Sequence, residues 1–319
     1  MSALIEAVDL KKHFAIRGAM GASRVLKAVD GVSLAIEKGE TFGLVGESGC
    51  GKTTLGRTMI RLYDVTGGTL KFEGSDITKL SGRALSPFRQ RMQIIFQDPY
   101  SSLSPFMNVE ELIGEPLDLK EKLGKIERRE RITQMLEKVG MDESALEKYP
   151  HEFSGGQRQR IGIARALVVK PEFVLCDEPI SALDVSIQAQ VVNMLEDLQA
   201  EMGLTYLFVA HDLSMVRHIS RRIGVMYLGH IVEISPAKEL YKNPLHPYTR
   251  ALLSAIPIPD PKRAREVKRI ALSGDIPSPS KMPDGCPFVA RCPHAMPKCS
   301  ESAPVLKEVS PGHQVACHL

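Results

Sequence analysis

Residues Gly46-Glu47-Ser48-Gly49-Cys50-Gly51-Lys52-Thr53 fit the pattern G-x-x-x-x-G-K-[ST], with an apolar run, Thr41–Val45, in front and a helical segment, Thr54–Leu62, behind. Strand, glycine loop and helix in that order restrict the chain to folds that seat a phosphate on a helix N-terminus at the end of a strand. The glycines let backbone N–H groups curl around phosphate oxygens. Lys52 reaches the β and γ phosphates, and the Thr53 hydroxyl can ligate Mg2+. A bare glycine turn could carry the same letters, but it would not require the flanking strand and helix.

Around this loop, short runs rich in Val, Ile, Leu and Phe alternate with segments of helical period, the pattern of a parallel sheet covered by helices. The strands expected are Ala35–Ile36 with their neighbours, Thr41–Val45, Thr69–Phe72, Gln93–Phe96, Phe173–Cys176, Thr205–Ala210, Ile223–Tyr227 and Ile231–Ile234. Residues 105–169 hold no strand-like run but do carry helical stretches, notably Arg128–Val139, so a helical insertion is expected in an α/β core. Hydrophobic residues at 43% and charged residues at 25% are ordinary for a folded chain. The formal charge of +3 is too small a bias to argue for nucleic acid. No run of about 18 apolar residues and no secretory signal is present, which leads to the expectation of a cytosolic chain. Eleven of the 21 prolines and four of the six cysteines lie from Pro257 onward, and that shift marks a boundary between residues 1–256 and 257–319.

Two further elements bear on chemistry. Phe173-Val174-Leu175-Cys176-Asp177-Glu178 is an apolar strand ending in adjacent carboxylates. Asp177 would hold Mg2+, directly or through water, and Glu178 would orient or deprotonate an attacking water. Acidic residues also end strands merely as loop starters, so this element gains its weight from the glycine loop. Ser154-Gly155-Gly156-Gln157 precedes the helical run Ile161–Val169 and fits a capping box, Ser154 with Gln157. Two glycines at a helix start also expose N–H groups to a second phosphate.

Together these motifs resemble the nucleotide-binding subunit of an ATP-binding cassette (ABC) transporter. Phe153-Ser154-Gly155-Gly156-Gln157 resembles the family signature, with Phe where Leu is usual. Gln97 resembles the Q-loop residue, Ser181-Ala182-Leu183-Asp184 the D-loop, and His211 the switch histidine. Phe14 matches the aromatic that stacks on adenine. The resemblance implies an ABC cassette with a RecA-like core, an antiparallel β subdomain and a helical subdomain. It also implies that Glu178, His211, Gln97 and Lys52 are catalytic, with Thr53, Gln97 and Asp177 around Mg2+. ATP would contact Phe14, the loop Gly46–Thr53 with Thr54, and Ser154, Gly155, Gly156, Gln157 and Asp184. Two subunits would pair head to tail, so that the signature of one serves the nucleotide of the other. Cys50 and Cys176, inside these motifs, read as small buried residues.

The stretch Asn243–Leu253, then Gly274–Pro279 and the cysteine tail, resembles the C-terminal extension of dipeptide and oligopeptide importers. Glu47, Cys50 and Phe96–Leu103 further resemble the F-type partner of that system's ATPase pair. The resemblance implies a homologous second ATPase, two membrane permeases and an extracytoplasmic peptide-binding protein, with this chain peripheral on the cytoplasmic face of the inner membrane and no nucleic-acid partner. Importers of nickel complexes or glutathione are similar systems. The tail reads Cys286-x5-Cys292-x6-Cys299-x17-Cys317 in a Pro-rich segment too small for a large core. This spacing does not choose between zinc and iron–sulfur. Relatives' tails favour a [4Fe–4S] cluster over Zn2+, with unligated thiols as the remaining reading.

A soluble ABC-type ATPase acting on nucleic acid or ribosomes is the rival from another class. Such proteins carry two cassettes or long insertions, whereas here one loop and one signature are separated by 100 residues, from Thr53 to Ser154. A small-molecule P-loop kinase would leave Ser154–Gln157 and His211 without a role.

Overall fold

The computed structural model describes residues 3–17, 23–256, 270–272, 274, 277 and 282–319. The other residues of the expected extension, among them most of 257–281, lie outside this set. The chain divides into two compact units. Residues 5–35, 41–79 and 210–319 form one, here the P-loop unit; residues 1–4, 36–40 and 80–209 form the other, the helical unit.

In chain order the first strands are β1 (Ala3–Arg17), β2 (Ser23–Glu37) and β3 (Thr41–Val45), followed by helix α1 (Lys52–Met59), β4 (Gly67–Phe72) and β5 (Ser75–Asp76). Strands β2-β1-β4-β5 make a four-stranded sheet in which β1 and β4 run antiparallel, Ile5 opposite Phe72. The sequence pattern missed β1 and most of β2 for an identifiable reason. The β1–β4 register slips between Val8 and Lys11, where Asp9 adopts φ 48°, and Gly31 at φ 79° separates the buried Val29 and Val32 in β2. Each irregularity shifts the period-2 alternation by a residue, so neither strand reads as one continuous pattern.

The helical unit contributes α2 (Gly82–Arg91), β6 (Met92–Ile95), α3 (Pro99–Ser102), α4 (Val109–Lys120), α5 (Lys125–Lys138), α6 (Gly155–Leu167), β7 (Phe173–Asp177), α7 (Val185–Met202) and β8 (Thr205–Val209). Strands β6, β7 and β8 are parallel neighbours, with Met92 opposite Phe173 and Phe173 opposite Thr205. Every residue of β7 and β8 is buried, which is why these strands read as continuous apolar runs rather than alternations. As expected, residues 105–169 hold helices and no strand. Helix α4 starts on a full capping box, Asn108 with Glu111, and α7 stops at Gly203 in the left-handed conformation.

Back in the P-loop unit, α8 (Leu213–Ile219) leads into β9 (Arg222–Tyr227), β10 (His230–Pro236), α9 (Ala237–Lys242), α10 (Pro247–Ser254), α11 (Pro297–Glu301), β11 (Lys307–Ser310) and β12 (His313–Val315). Strand β3 pairs parallel with β9, while β10 pairs antiparallel with both β9 and β12. The tail is therefore attached by its backbone, β12 prolonging the sheet beyond β10. A fully buried carboxylate pins it as well: Glu233 accepts from the N–H groups of Leu245 (2.8 Å) and His246 (3.0 Å) and lies 2.7 Å from Nε2 of His313.

Candidate functional site

In the P-loop unit, β3 ends at Val45 and α1 begins at Lys52. Between them Gly46, Gly49 and Gly51 take φ 154°, 78° and 107°. A Cβ at Gly46 would lie 2.2 Å from the Met226 carbonyl oxygen, and one at Gly51 2.2 Å from that of Ala28, so side chains are excluded at both positions. Gly51 caps α1 with no side-chain hydrogen bond, and the N–H groups and dipole of a helix N-terminus favour an anion. Lys52, only 4% exposed, donates to the carbonyls of Gly46 (2.8 Å) and Glu47 (3.1 Å). A phosphate in the loop would compete with those carbonyls for the same ammonium. Ser48 and Gly49 are exposed at the loop tip, and Thr53 and Thr54 are half-buried on the first turn of α1. Cys50 is buried and burial pushes its thiol pKa up; Cys176 is completely buried, and both are the small interior residues expected.

The glycine cradle, the helix N-terminus and the lysine fit a nucleoside polyphosphate. The loop has two supports that the sequence did not reveal. The Glu47 N–H donates to the Tyr248 hydroxyl at 2.8 Å. The Glu47 carboxylate is gripped by Arg291 through two bonds, 2.7 Å and 3.1 Å. A tyrosine in the Asn243–Leu253 stretch could have drawn notice, but nothing marked Arg291.

In the helical unit, Asp177 ends β7 with no exposed surface. Glu178 follows at φ 51°, a left-handed conformation unusual for a non-glycine residue, and its N–H donates to the Val209 carbonyl at 3.0 Å. The chain thus turns sharply between the two carboxylates. Gln97, exposed just past β6, donates through Nε2 to Glu178 Oε2 at 2.8 Å, so two of the expected site residues meet directly. Ser181 Oγ donates to the Glu178 carbonyl at 3.0 Å, and Gln188 Nε2 donates to the carbonyls of Ile180 and Leu183. These bonds fix the 181–184 turn ahead of α7, with Asp184 exposed at its N-cap.

The capping box at α6 is present in full: Ser154 Oγ accepts from the Gln157 N–H at 3.3 Å, and Gln157 Oε1 accepts from the Ser154 N–H at 3.0 Å. Ser154 itself is exposed. A Cβ on Gly156 would come 2.8 Å from Cγ2 of Ile187, so glycine there lets α6 and α7 approach closely. Phe153, where the signature usually has Leu, is buried.

Elsewhere in the P-loop unit, Phe14 is half-buried on β1 and packs edge-on against Tyr63, with ring centroids 5.7 Å apart and the Lys12 ammonium 4.8 Å from its own ring centre. His211 is exposed ahead of α8. In the tail, Cys286, Cys292, Cys299 and Cys317 are free thiols. Burial, with smaller contributions from Cys299, Cys317 and Cys292, pushes the Cys286 thiol up to about 11. Among the described residues, however, no group of three or more His, Cys, Asp or Glu is placed to hold a metal ion.

Residues 29–181 match the family model described as ABC transporter, and residues 232–299 match the oligopeptide/dipeptide transporter, C-terminal region. A putative oligopeptide transport ATP-binding protein, YkfD of Bacillus subtilis, is 56% identical over 99% of this chain and 95% of its own length. The oligopeptide transport ATP-binding protein AppF of the same organism is 53% identical over 99% and 97%, and OppF of Salmonella typhimurium 51% over 98% and 95%. Among solved structures, the dimeric post-hydrolysis state of the ATP-binding cassette MJ0796, bound to ADP and Pi, matches at TM-score 0.66 and 27% identity, covering 73% of this chain and 98% of that one. CbiO1 of Clostridium perfringens, part of the ABC transporter complex cbiONQ, matches at TM-score 0.67 and 26% identity, over 76% and 92%.

Proposed function

The chain belongs to the ATP-binding subunits of ABC transporters, and we propose that it is the F-type ATPase of a dipeptide or oligopeptide importer. The observation that carries this reading is the likeness to oligopeptide transport ATP-binding proteins along nearly the whole chain, extension included. ATP hydrolysis energises peptide import through a permease pair. A homologous second ATPase and an extracytoplasmic peptide-binding protein complete the complex, and the chain works peripherally at the cytoplasmic face of the inner membrane. No helix among the described residues is long and apolar enough to cross a membrane. The nucleic-acid alternative has no observation in its favour. ATP-driven uptake of peptide by the assembled complex tests the proposal.

Within the proposed site, residues 46–54 cradle the triphosphate and Lys52 moves its donors from the loop carbonyls to phosphate. Thr53, Gln97 and Asp177 would hold Mg2+, which when bound neutralises charge on the phosphates. Glu178 orients the attacking water or takes its proton, with Gln97 holding the carboxylate. His211 completes the catalytic set, Asp184 contacts ATP, Phe14 receives the adenine, and Ser154, Gly155, Gly156 and Gln157 present the α6 N-terminus to the partner's nucleotide. The division into a cassette, residues 1–256 with its helical subdomain at about 105–169, and an extension, residues 257–319, belongs to the same proposal.

For the tail, a [4Fe–4S] cluster on Cys286, Cys292, Cys299 and Cys317 is the preferred reading, with Zn2+ as the alternative. Its support is the run of four free cysteines in a Pro-rich segment too small for a large core. No three of them stand at ligating positions here, so binding would have to draw the side chains together. Anaerobically purified protein is expected to be brown and to contain iron and sulfide in about equal amounts. A colourless preparation with zinc and no sulfide would support the alternative, and four alkylatable thiols without metal would exclude both.

A further inference from the structure

We infer that Arg291, from the cysteine-rich tail, is a positioning residue for the phosphate loop, acting through the carboxylate of Glu47 and supported by the hydroxyl of Tyr248. The inference rests on the reading of residues 46–53 as the phosphate loop. It concerns groups of the P-loop unit alone.

Glu47 is restrained at every polar group it has. Its N–H donates to the Tyr248 hydroxyl, its carbonyl accepts from the Lys52 ammonium, and its carboxylate accepts from both Nη1 and Nη2 of Arg291. The paired bonds are the fork geometry that fixes orientation as well as distance. Glu47 follows Gly46 directly, so its carbonyl and that of Gly46 are the two that hold Lys52. Rotation of the Glu47 peptide would move both the lysine and the N–H groups that line the cradle.

Arg291 is itself held rigidly. It is 7% exposed and closes a 3-10 turn, Val289–Arg291, whose first N–H bonds the Cys286 carbonyl and whose end leads into Cys292. Its N–H donates to the carbonyl of Phe288, a ring that packs against Tyr227 (centroids 5.2 Å apart) and Tyr248 (5.5 Å). The Tyr227 hydroxyl lies 3.5 Å from Nη1 of Arg291. Nε of Arg291 is buried with no hydrogen-bond partner among the described residues, so the guanidinium gives up hydration at that atom while its other two nitrogens grip Glu47. A guanidinium needed only to fill the tail's interior would not have to sit where one donor goes unmet. The arrangement makes the tail a buttress of the nucleotide site: the segment between Cys286 and Cys292 sets the position of the loop that must meet the phosphates.

ATP affinity of the purified full chain, measured by equilibrium dialysis, tests this in a double-mutant cycle. Arg291→Met and Glu47→Gln are each expected to weaken ATP binding by about tenfold, and Arg291→Lys, which keeps the charge, to recover part of the loss. In the Glu47→Gln background, Arg291→Met should add less than about twofold, because the contact it removes is already broken. Wild-type affinity in Arg291→Met, or two effects that simply multiply, would overturn the inference. If Arg291→Met does not fold, Tyr248→Phe keeps the ring and removes only the hydroxyl at the Glu47 N–H; weaker ATP binding there supports the buttress, and unchanged binding in both Tyr248→Phe and Glu47→Gln overturns it. Lys52→Ala, measured alongside, separates the two readings. Unchanged ATP affinity in Lys52→Ala removes the phosphate-loop assignment itself, whereas loss there with wild-type binding in Arg291→Met removes the buttress alone.

Discussion

Glu178→Gln is expected to keep ATP binding and to lose about 10²–10⁴-fold in turnover, the size of a general-base contribution. The substitution preserves shape, and the new amide oxygen can still accept from Gln97 Nε2, which now donates to Glu178 Oε2 at 2.8 Å. What disappears is the negative charge that orients or deprotonates water. The backbone argues for a role beyond capping. A residue after Asp177 at φ 51° is held in a conformation that glycine would adopt more readily, and such outliers persist where the surrounding structure over-determines them. Here the Glu178 N–H bond to Val209 and the Ser181 bonds to its carbonyl supply that restraint. ATPase activity of the assembled complex, read beside nucleotide binding, checks the expectation. Wild-type turnover in Glu178→Gln would contradict the assignment.

Lys52→Ala should act earlier in the cycle, weakening ATP binding by about 10²-fold, since hydrogen bonds from a charged donor to phosphate are lost. The ammonium is almost wholly buried and already bonded to two loop carbonyls, so it meets an incoming phosphate from a fixed place rather than from a mobile tether. Equilibrium dialysis with ATP measures the loss, and unchanged affinity would contradict the role.

What could be read in the sequence follows from how local each feature is. The glycine loop is contiguous, and its shape is carried by glycines whose φ values only glycine tolerates well, so eight residues sufficed to place it between β3 and α1. The strands β3, β7 and β8 were legible because burial on both faces makes them unbroken apolar runs. The Ser154–Gln157 capping box was legible because both partners lie within one turn. Strands β1 and β2 were not, because the register slip near Asp9 and the turn of backbone at Gly31 break the alternation on which recognition depends. The tail reads as proline-rich and short of core, yet β12 pairs with β10 and His313 meets the buried Glu233, a contact spanning 80 positions. Arg291 and Glu47 lie 244 positions apart, and no pattern in either neighbourhood chooses that partner among 41 basic and 38 acidic residues. Local chemistry was visible; the supports reaching it from a distance were not.

The central claim is that this ATPase drives peptide import. It is tested most directly by reconstituting the chain with its partner ATPase and permease pair in sealed vesicles, with the peptide-binding protein and a labelled peptide on the side opposite the ATPases. The account predicts that ATP at the ATPase face drives accumulation of the peptide against its gradient, that the same vesicles without ATP accumulate none, and that Glu178→Gln abolishes uptake while ATP stays bound. Vesicles that hydrolyse ATP at the full rate yet accumulate no di- or oligopeptide would contradict it.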